Sequence, residues 1–358
     1  MLLWLVDVMD KQFTLRAALA GIIAFATTIL LGPRVISWLR AKKVGERIEK
    51  NDSRQLDSMM SGKKGTPTMG GVFVVASILV SLLIFGNLQH PVVWVFAFSL
   101  VSLGVVGAAD DWLKLSGRSP TGMRMRTKLG LQVGIGLAVG VGLRAALRAA
   151  EPDPTIATLF FMPFDGHWDL GWLHPLFVML VITATTNAVN ITDGLDGLAG
   201  GCLGISTFAY AIIAYVVGRV DFSEYLHVAC IRSGAELTVL STAMLGATLG
   251  FLWFNSHPAQ VFLGDSGSLP LGGALGLVAC ATKQEMLLFL VGGVFVIEAG
   301  SSLLQILSYK ATGKRLFLIA PLHHHFQFRG MPETKITLRF WIVAALMAVS
   351  SLALLKLR

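Results

Sequence analysis

Residues 173–199 read LHPLFVMLVITATTNAVNITDGLDGLA, an apolar run that ends in a polar segment. The apolar part, 173–190, is close to the roughly 20 residues that a transmembrane helix needs. The polar part places two carboxylates, Asp193 and Asp196, beside asparagines at the end of that run. Ionisable groups at the edge of a bilayer core are costly and mark functional sites by default. The stretch therefore predicts a membrane helix that carries a polar site to one membrane surface.

The whole chain has the composition of a membrane protein. Of its 358 residues 54% are hydrophobic and only 14% are charged, against about 25% charged in soluble domains. The apolar runs are long and continuous rather than alternating, which excludes a β-barrel and leaves helices to satisfy the backbone in lipid. We predict an all-α polytopic membrane protein that forms a single integral-membrane domain over residues 1–358. The net charge of +8 favours anionic membrane partners over nucleic acid.

Ten apolar runs predict ten transmembrane helices. They cover residues 17–38, 70–86, 93–110, 129–149, 173–190, 197–217, 235–254, 267–282, 286–309 and 338–356. The ninth run contains Glu298 and Gly300, where we expect a bend. Residues 1–13 are expected to form a short interfacial helix, and 151–173 a short excursion at the outer membrane surface.

The distribution of Lys and Arg predicts the orientation. Twenty of the 29 lie in one set of loops or at the adjoining ends of the runs, and by the positive-inside rule that set is cytoplasmic. Both chain termini then lie on the outer, periplasmic side. The cytoplasmic loops are 39–69, 111–128, 191–196, 255–266 and 310–337, and the acidic motifs all fall on their side of the membrane.

Two acidic pairs are candidates for catalysis. Asp110 and Asp111 end the third run, in GVVGAADDWLKLSG. Neighbouring helical residues point about 100° apart, so both can face one site only if the helix opens into a loop there. Asp193 and Asp196 are three residues apart, which places them on one face if the next helix has already begun. Solvated acids at a helix end, or Asp193 as a simple helix cap, are the alternative interpretations.

A third acid, Asp265, lies in FLGDSGS, a Gly/Ser loop before the eighth run. The backbone amides of such a loop at a helix start suit a phosphate group. A carboxylate there would repel phosphate unless a cation lay between them. Mg²⁺ is the expected cation because it is bound by one or two carboxylates together with substrate phosphates. A capping Asp at a turn is the alternative interpretation.

Other polar residues lie in or near the same predicted loops. His323–His325 form an internal run, of which we expect one or two side chains to face the site; a zinc site is disfavoured because no nearby cysteine completes four ligands. Lys63 and Thr68, in KKGTPTM, are suited to phosphate contacts. Glu298 and Gln305 are two helical turns apart and share a face. Glu298 is a candidate for pairing inside the bundle, and Gln305 for reading a base edge.

Five blocks of the chain, taken together, resemble one known family. They are KKGTPTMGG, DDWLK, NAVNITDGLDGLA, NSHPAQVFLGDSGSLPLGGALG and GKRLFLIAPLHHHFQFRG, and they look like the signature blocks of the phospho-N-acetylmuramoyl-pentapeptide transferases. That family belongs to the polyprenyl-phosphate N-acetylhexosamine-1-phosphate transferases. The resemblance implies ten transmembrane helices, a homodimer in the bacterial inner membrane and a cleft that faces the cytoplasm. It also implies Mg²⁺-dependent transfer of phospho-MurNAc-pentapeptide from UDP to undecaprenyl phosphate, giving lipid I and UMP, in peptidoglycan synthesis.

The resemblance also implies roles for individual residues. It makes Asp110, Asp111, Asp265 and His324 catalytic, with Asp265 and Asp111 as metal ligands. The implied substrate-binding residues are Lys63, Thr68, Lys128, Asn190, Asp193, Asp196, Asn255, Phe262, Gln305, His323 and His325. Two positions depart from the family pattern: Trp112 stands where Tyr is common, and the loop around Lys128 lacks a Trp usually found near that lysine. The assignment of Lys128 is the one that the second departure affects.

Two other functions are compatible with part of the pattern. A sibling transferase that uses UDP-GlcNAc would keep the acids, although the triple histidine favours the muramoyl-peptide substrate. A transporter would place its ionisable groups near the bilayer midplane, whereas these acids lie at the ends of the runs. The sequence also leaves open whether the lipid phosphate attacks directly, with Asp110 as the base, or whether an Asp first forms a covalent phospho-enzyme.

Overall fold

The computed structural model describes residues 13–42, 63, 65–116, 119, 121–162 and 166–357. Within these residues every predicted apolar run is helical. The ten long helices are α1 (Phe13–Ala41), α2 (Gly71–Phe85), α3 (Pro91–Leu115), α4 (Met125–Ala150), α5 (His174–Thr192), α6 (Leu198–Val217), α8 (Gly234–Asn255), α9 (Asp265–Ala281), α11 (Gly293–Thr312) and α13 (Glu333–Leu354). Three short helices lie between them: α7 (Val220–Leu226), α10 (Leu288–Val291) and α12 (Leu322–Phe328). The interfacial helix predicted for residues 1–13 lies, except for its last residue, outside the described part of the chain.

Seven of the described helices are long and apolar enough to cross a membrane: α1, α3, α4, α5 with the turn before it, α6, α8 and α13. The chain is therefore a multi-pass helical membrane protein. Helix α9 has only 17 residues, and all of them are buried. It packs mainly against α3 and α5, so its apolar surface meets protein on all sides. A helix that is apolar all round belongs in such a position.

The ninth predicted run is interrupted, but not where the sequence indicated. The run divides at Gly292 into α10 and α11, while α11 continues without a break through Glu298 and Gly300. The helix is not broken at those two residues, and a bend there stays a prediction. At the actual break, a Cβ on Gly293 would lie 2.1 Å from Met347 Cε of α13. Two adjacent glycines thus permit both the change of direction and the close contact between helices.

The predicted outer excursion contains structure that the sequence did not indicate. Strands β1 (Leu159–Met162) and β2 (Gly166–Asp169) form an antiparallel hairpin, with Leu159 opposite Asp169. Glu151, at the start of the excursion, accepts hydrogen bonds from the backbone amides of Arg232 and Ser233, at 2.8 and 2.9 Å. The excursion is therefore fixed to the segment that precedes α8.

At the opposite end of the bundle, the described parts of the predicted cytoplasmic loops contact one another. Phe262 N donates to Pro67 O over 2.8 Å, and Met123 N donates to a carboxylate oxygen of Asp110 over 2.7 Å. Several loop boundaries differ from the prediction because the helices extend further. Helix α3 continues to Leu115, α4 begins at Met125, and α13 begins at Glu333 rather than 338. The long loop before α13 contains the short helix α12.

Candidate active site

Asp110 and Asp111 lie in the last two turns of α3, and both are buried. The expectation that the helix opens into a loop at this pair is wrong, because α3 stays helical for four more residues. The two carboxylates share a site because the start of α9 lies against this part of α3. Gly107 makes the approach possible: a Cβ there would lie 2.0 Å from Asp265 O.

Asp265 is the first residue of α9, directly after Gly264, whose φ is +70°. Asp111 binds this helix terminus, since its carboxylate accepts hydrogen bonds from Asp265 N at 3.2 Å and Ser266 N at 3.0 Å. A negative group is stabilised at a helix N-terminus by the exposed amides and the helix dipole. In this structure the amides of Asp265 and Ser266 hold a carboxylate of the protein, and the phosphate contact of the FLGDSGS loop stays a prediction.

Two lysines connect the acids. Lys114 Nζ lies 2.5 Å from Asp110 Oδ2 and 3.0 Å from Asp265 Oδ2. Lys128 Nζ lies 2.5 Å from Asp265 Oδ2 and 3.8 Å from Asp110 Oδ2. Asn190 Nδ2 donates to the other oxygen of Asp265 over 2.6 Å. Asp265 is thus the carboxylate at which α4, α5 and the end of α3 converge.

This central cluster has the donor set of a divalent cation site. Asp110, Asp111 and Asp265 each offer one oxygen, and these three atoms lie within 4.8 Å of one another. Carboxylate oxygens are the ligands that hard cations prefer. With three carboxylates against two ammonium groups, the ionised cluster also carries one net negative charge. It would repel a phosphorylated ligand unless a further cation were bound, so the residues present fit a divalent metal.

A second cluster surrounds Asp196. Lys63 Nζ lies 2.7 Å from Asp196 Oδ1 and 2.6 Å from Glu333 Oε1. His257 Nδ1 and Ala259 N contact Asp196 Oδ2 at 3.0 and 3.1 Å. Burial acts to lower the pKa of Lys63, but the hydrogen bonds and charges of Asp196 and Glu333 outweigh it, and the pKa is raised. Lys63 therefore stays charged and holds two carboxylates together.

The TDGLDG segment is a turn rather than the start of a helix. Asp193 follows the last residue of α5, and α6 begins at Leu198 after Gly197, whose φ is +73°. Asp193 and Asp196 therefore do not share a helical face, which corrects that expectation. A Cβ on Gly194 would lie 2.3 Å from His323 Nε2. This turn thus joins Asn190 in the central cluster, the histidine run and the cluster around Asp196.

The three histidines differ in their surroundings. His323 is buried, and its Nδ1 and backbone N contact the two carboxylate oxygens of Glu298 at 2.8 and 3.1 Å. Glu298 therefore pairs inside the bundle, as one interpretation of the sequence proposed. His324 Nδ1 lies 2.7 Å from Gln327 Oε1, and burial, with His323 nearby, lowers the pKa of His324 to about 4. His325 Nδ1 accepts a hydrogen bond from Leu318 N over 3.2 Å.

Three other predicted residues line or support these clusters. Phe262 lies beside Lys63, whose Nζ is 5.8 Å from the ring centroid. Asn255 is buried and bridges Gly197 N and Val261 O at 3.0 and 2.9 Å. A Cβ on Gly264 would lie 2.8 Å from the hydroxyl of Thr68.

The side chain of Gln305 is occupied by the protein itself. Its oxygen accepts from Leu316 N and Phe317 N at 3.0 and 2.9 Å, and its nitrogen donates to Phe317 O over 3.0 Å. In this structure Gln305 fixes the loop after α11. Its predicted contact with a base stays a prediction.

Three residues of the site were not singled out from the sequence. Lys114 carried a usable signal, because it lies four residues after Asp110 on one helix. His257 and Glu333 carried none, because no spacing in the sequence connects either of them to Asp196. Only the folded chain brings them to Asp196.

Comparisons with known proteins identify the family of this chain. A model of glycosyl transferase family 4 matches residues 93–283, and the phospho-N-acetylmuramoyl-pentapeptide-transferase signature 1 matches residues 63–75. Proteins named phospho-N-acetylmuramoyl-pentapeptide-transferase from Thermodesulfovibrio yellowstonii, Granulibacter bethesdensis and Methylacidiphilum infernorum are 43%, 45% and 42% identical to the chain. Each alignment covers 97% of this chain and 95% of the relative. The chain therefore belongs to the phospho-N-acetylmuramoyl-pentapeptide transferase family.

Proposed function

We propose that this protein transfers phospho-MurNAc-pentapeptide from UDP-MurNAc-pentapeptide to undecaprenyl phosphate, giving lipid I and UMP, the first membrane step of peptidoglycan synthesis. The observation that carries the proposal is the central cluster of three carboxylates and two lysines in a member of this family. Transfer between two phosphates depends on charge compensation and positioning rather than on covalent chemistry by the protein. The cluster supplies both.

In the direct mechanism, an oxygen of the lipid phosphate attacks the β-phosphorus of the UDP substrate. A new P–O bond forms, the bond from that phosphorus to the bridging oxygen breaks, and UMP leaves with the electron pair. Asp110 keeps the lipid phosphate deprotonated or accepts its proton. Lys114 and Lys128 lie close enough to neutralise phosphate oxygens, because each already contacts a carboxylate of the cluster.

Mg²⁺ is the proposed cofactor, held by Asp265 and Asp111. When bound, it supplies charge neutralisation at the diphosphate and the leaving group. Asn190 donates a hydrogen bond to Oδ1 of Asp265, the oxygen that the lysines do not contact. Asp111 keeps the start of α9 in place through its two amide contacts. The chain thus orients Asp265, the principal proposed metal ligand, through hydrogen bonds from the groups around it.

The cluster around Asp196 is the proposed nucleotide end of the site. Phe262 offers an aromatic surface for uracil, and aromatic rings stack in this way. Asp196, Asn255 and Gln305 are the candidates that read the base, with Lys63 and Thr68 toward the phosphates. The loops bearing Asp193 and the three histidines, with His324 as a catalytic candidate, would enclose the diphosphate.

We propose the membrane topology that the distribution of Lys and Arg along the sequence predicts. All ten long helices then cross the bacterial inner membrane, both termini lie outside, and the loops of the active site, 39–69, 111–128, 191–196, 255–266 and 310–337, face the cytoplasm. Seven helices support this by length and composition, and the contacts among the loops support a single active face. The proposed assembly is a homodimer.

The test is UMP release by the purified protein with UDP-MurNAc-pentapeptide, undecaprenyl phosphate and Mg²⁺, with UDP-GlcNAc in parallel. Release with the muramoyl substrate alone is expected. Release with UDP-GlcNAc alone would overturn the assignment of the substrate. If the folded protein released UMP from neither substrate, the alternative function as a transporter would be favoured. Exchange of labelled UMP into the UDP substrate without lipid would support a covalent phospho-enzyme. D265N should weaken the dependence on Mg²⁺; if it does not, the metal assignment is wrong.

A further inference from the structure

One side of α13 faces the TDGLDG turn with a regular stripe of polar groups. Glu333, Thr337 and Trp341 are each four residues apart, so they lie one above another on the same face of the helix. The rest of this helix is mostly apolar, as expected for a membrane segment. A polar stripe on such a helix has a partner inside the protein, and here the partner is the backbone of residues 196–197.

Each residue of the stripe bonds one backbone group of the turn. Asp196 N donates to Glu333 Oε1 over 2.6 Å. Thr337 Oγ1 donates to Asp196 O over 3.2 Å. Trp341 Nε1 donates to Gly197 O over 3.1 Å. The three contacts follow the order of the chain, so the helix matches the turn group by group.

Glycines in α6 leave room for this contact. A Cβ on Gly201 would lie 2.0 Å from Trp341 Nε1, and one on Gly197 would lie 3.4 Å from the same indole ring. Gly197 O also receives the first hydrogen bond of α6, from Gly201 N at 2.9 Å. The indole therefore binds at the point where the turn becomes a helix, in a backbone conformation that favours glycine.

The stripe controls where the Asp196 carboxylate lies. With both backbone groups of Asp196 bonded by α13, its carboxylate extends from a fixed position and contacts Lys63, His257 and Ala259 N. Glu333 Oε1 also contacts Lys63 Nζ at 2.6 Å. One oxygen of Glu333 thus holds both the backbone of Asp196 and the lysine that binds its carboxylate.

We propose that Glu333, Thr337 and Trp341 are positioning residues for the nucleotide end of the site, acting through the backbone of Asp196 and Gly197. This inference rests on the proposed function for its kinetic consequence, but the contact between α13 and the turn is independent of it. The stripe touches no substrate in this scheme. Its effect is to place Asp196 and its neighbours where a nucleotide binds.

The kinetic test compares T337V with T334V. Thr334 is exposed on the same helix, so the same substitution there is a matched control. A hydrogen bond of this kind corresponds to about a 2- to 10-fold change in an equilibrium. T337V should raise KM for the UDP substrate by about that factor with a smaller change in kcat, whereas T334V should leave both unchanged. W341F, which keeps an aromatic ring but removes the N–H donor, should behave like T337V.

The second comparison is E333A with E333Q. Both remove the negative charge beside Lys63, but the amide oxygen of Gln can still accept from Asp196 N. E333Q should therefore raise KM for the UDP substrate less than E333A does. An equal increase of KM in the two variants would show that the hydrogen bond to Asp196 N has no role.

Hydrogen–deuterium exchange of the peptide that contains 193–197 separates this inference from the proposed function. T337V, W341F and E333A should each accelerate exchange there by about 5-fold, and T334V should not. Unchanged exchange would overturn the inference, and so would faster exchange with unchanged KM. Absence of UMP release by the wild-type protein would instead overturn the proposed function, while the exchange result would still decide whether α13 holds the turn.

Discussion

The substitution G107A tests whether the close approach of α3 and α9 builds the central cluster. A Cβ at this position would lie 2.0 Å from Asp265 O and 2.4 Å from the carbon of the same carbonyl. Ordinary van der Waals contact begins at 3.4 Å. Both partners are backbone, so no side-chain rotation relieves the overlap. The two helices would have to separate by about 1 Å or more at this point.

A separation of that size breaks the contacts that define the cluster. Asp111 holds the start of α9 through hydrogen bonds of 3.2 and 3.0 Å, the first of which is already at the long end of the usual range. An added 1 Å ends both of them and moves Asp265 relative to Asp110. A misplacement of about 1 Å commonly costs about 100-fold in rate. We therefore expect G107A to lower kcat about 100-fold.

The matched control is G104A, three residues earlier on the same helix. A Cβ on Gly104 meets its nearest atom, Pro270 Cγ, at 3.9 Å, so it fits without movement. G104A should keep kcat within about twofold, because exchange of glycine for alanine in a helix is tolerated or slightly stabilising where space allows. UMP release and thermal unfolding should be measured for both variants. A folded G107A protein with a kcat close to the wild-type value would refute this account of how the cluster is assembled.

Three further predictions concern charged groups of the site. E298Q should lower kcat by about 10-fold or more in the UMP-release assay. The carboxylate of Glu298 accepts two N–H groups of His323, whereas an amide has only one acceptor oxygen. An unchanged kcat would contradict this prediction. The pKa of His324 is about 4, below its ordinary 6.5. Between these pH values the unfolded state binds more protons than the folded state, so the free energy of unfolding should fall as the pH drops through them. Thermal unfolding at pH 7 and pH 5 should show a smaller decrease in stability for H324Q than for the wild type. K63M should lower the free energy of unfolding by about 3 kcal/mol, because it leaves the carboxylates of Asp196 and Glu333 together without the ammonium group that contacts both. Thermal unfolding measures the loss, and a K63M protein as stable as the wild type would argue against the ion triad.

The sequence predicted the helices well. In lipid the backbone N–H and C=O groups of a long apolar run must hydrogen-bond within the run itself, and only a helix allows this. It failed where a local choice depended on neighbours. The break in the ninth run lies at Gly292, next to the glycine that α13 approaches, and the pair of adjacent glycines there was a signal that the prediction passed over in favour of Glu298 and Gly300. The hairpin of 159–169 likewise depends on packing of a short segment, with aromatic residues such as Phe160 against Phe177.

The acids of the site were predictable because carboxylates at the ends of apolar runs are rare. Their arrangement was not. Sequence spacing suggested that Asp193 and Asp196 share a helical face, but Gly197 adopts a positive φ and delays the helix until Leu198. Glu333, which joins Lys63 to this turn, is separated from Asp196 by 137 positions, and no spacing rule connects residues so far apart.

The geometry separates the two neighbouring acids of α3, which the sequence could not. Both carboxylate oxygens of Asp111 accept backbone amides at the start of α9, so a proton on Asp111 would disturb the terminus it holds. Asp110 accepts one backbone amide through Oδ1, while Oδ2 lies within ion-pair distance of Lys114 and Lys128, and the Asp110 carboxyl also interacts with that of Asp265. If a bound phosphate competed for these two ammonium groups, Oδ2 of Asp110 would lose its ion-pair partners and could accept a proton. Asp110 is therefore the stronger candidate for the base, and Asp111 for the residue that keeps Asp265 in position.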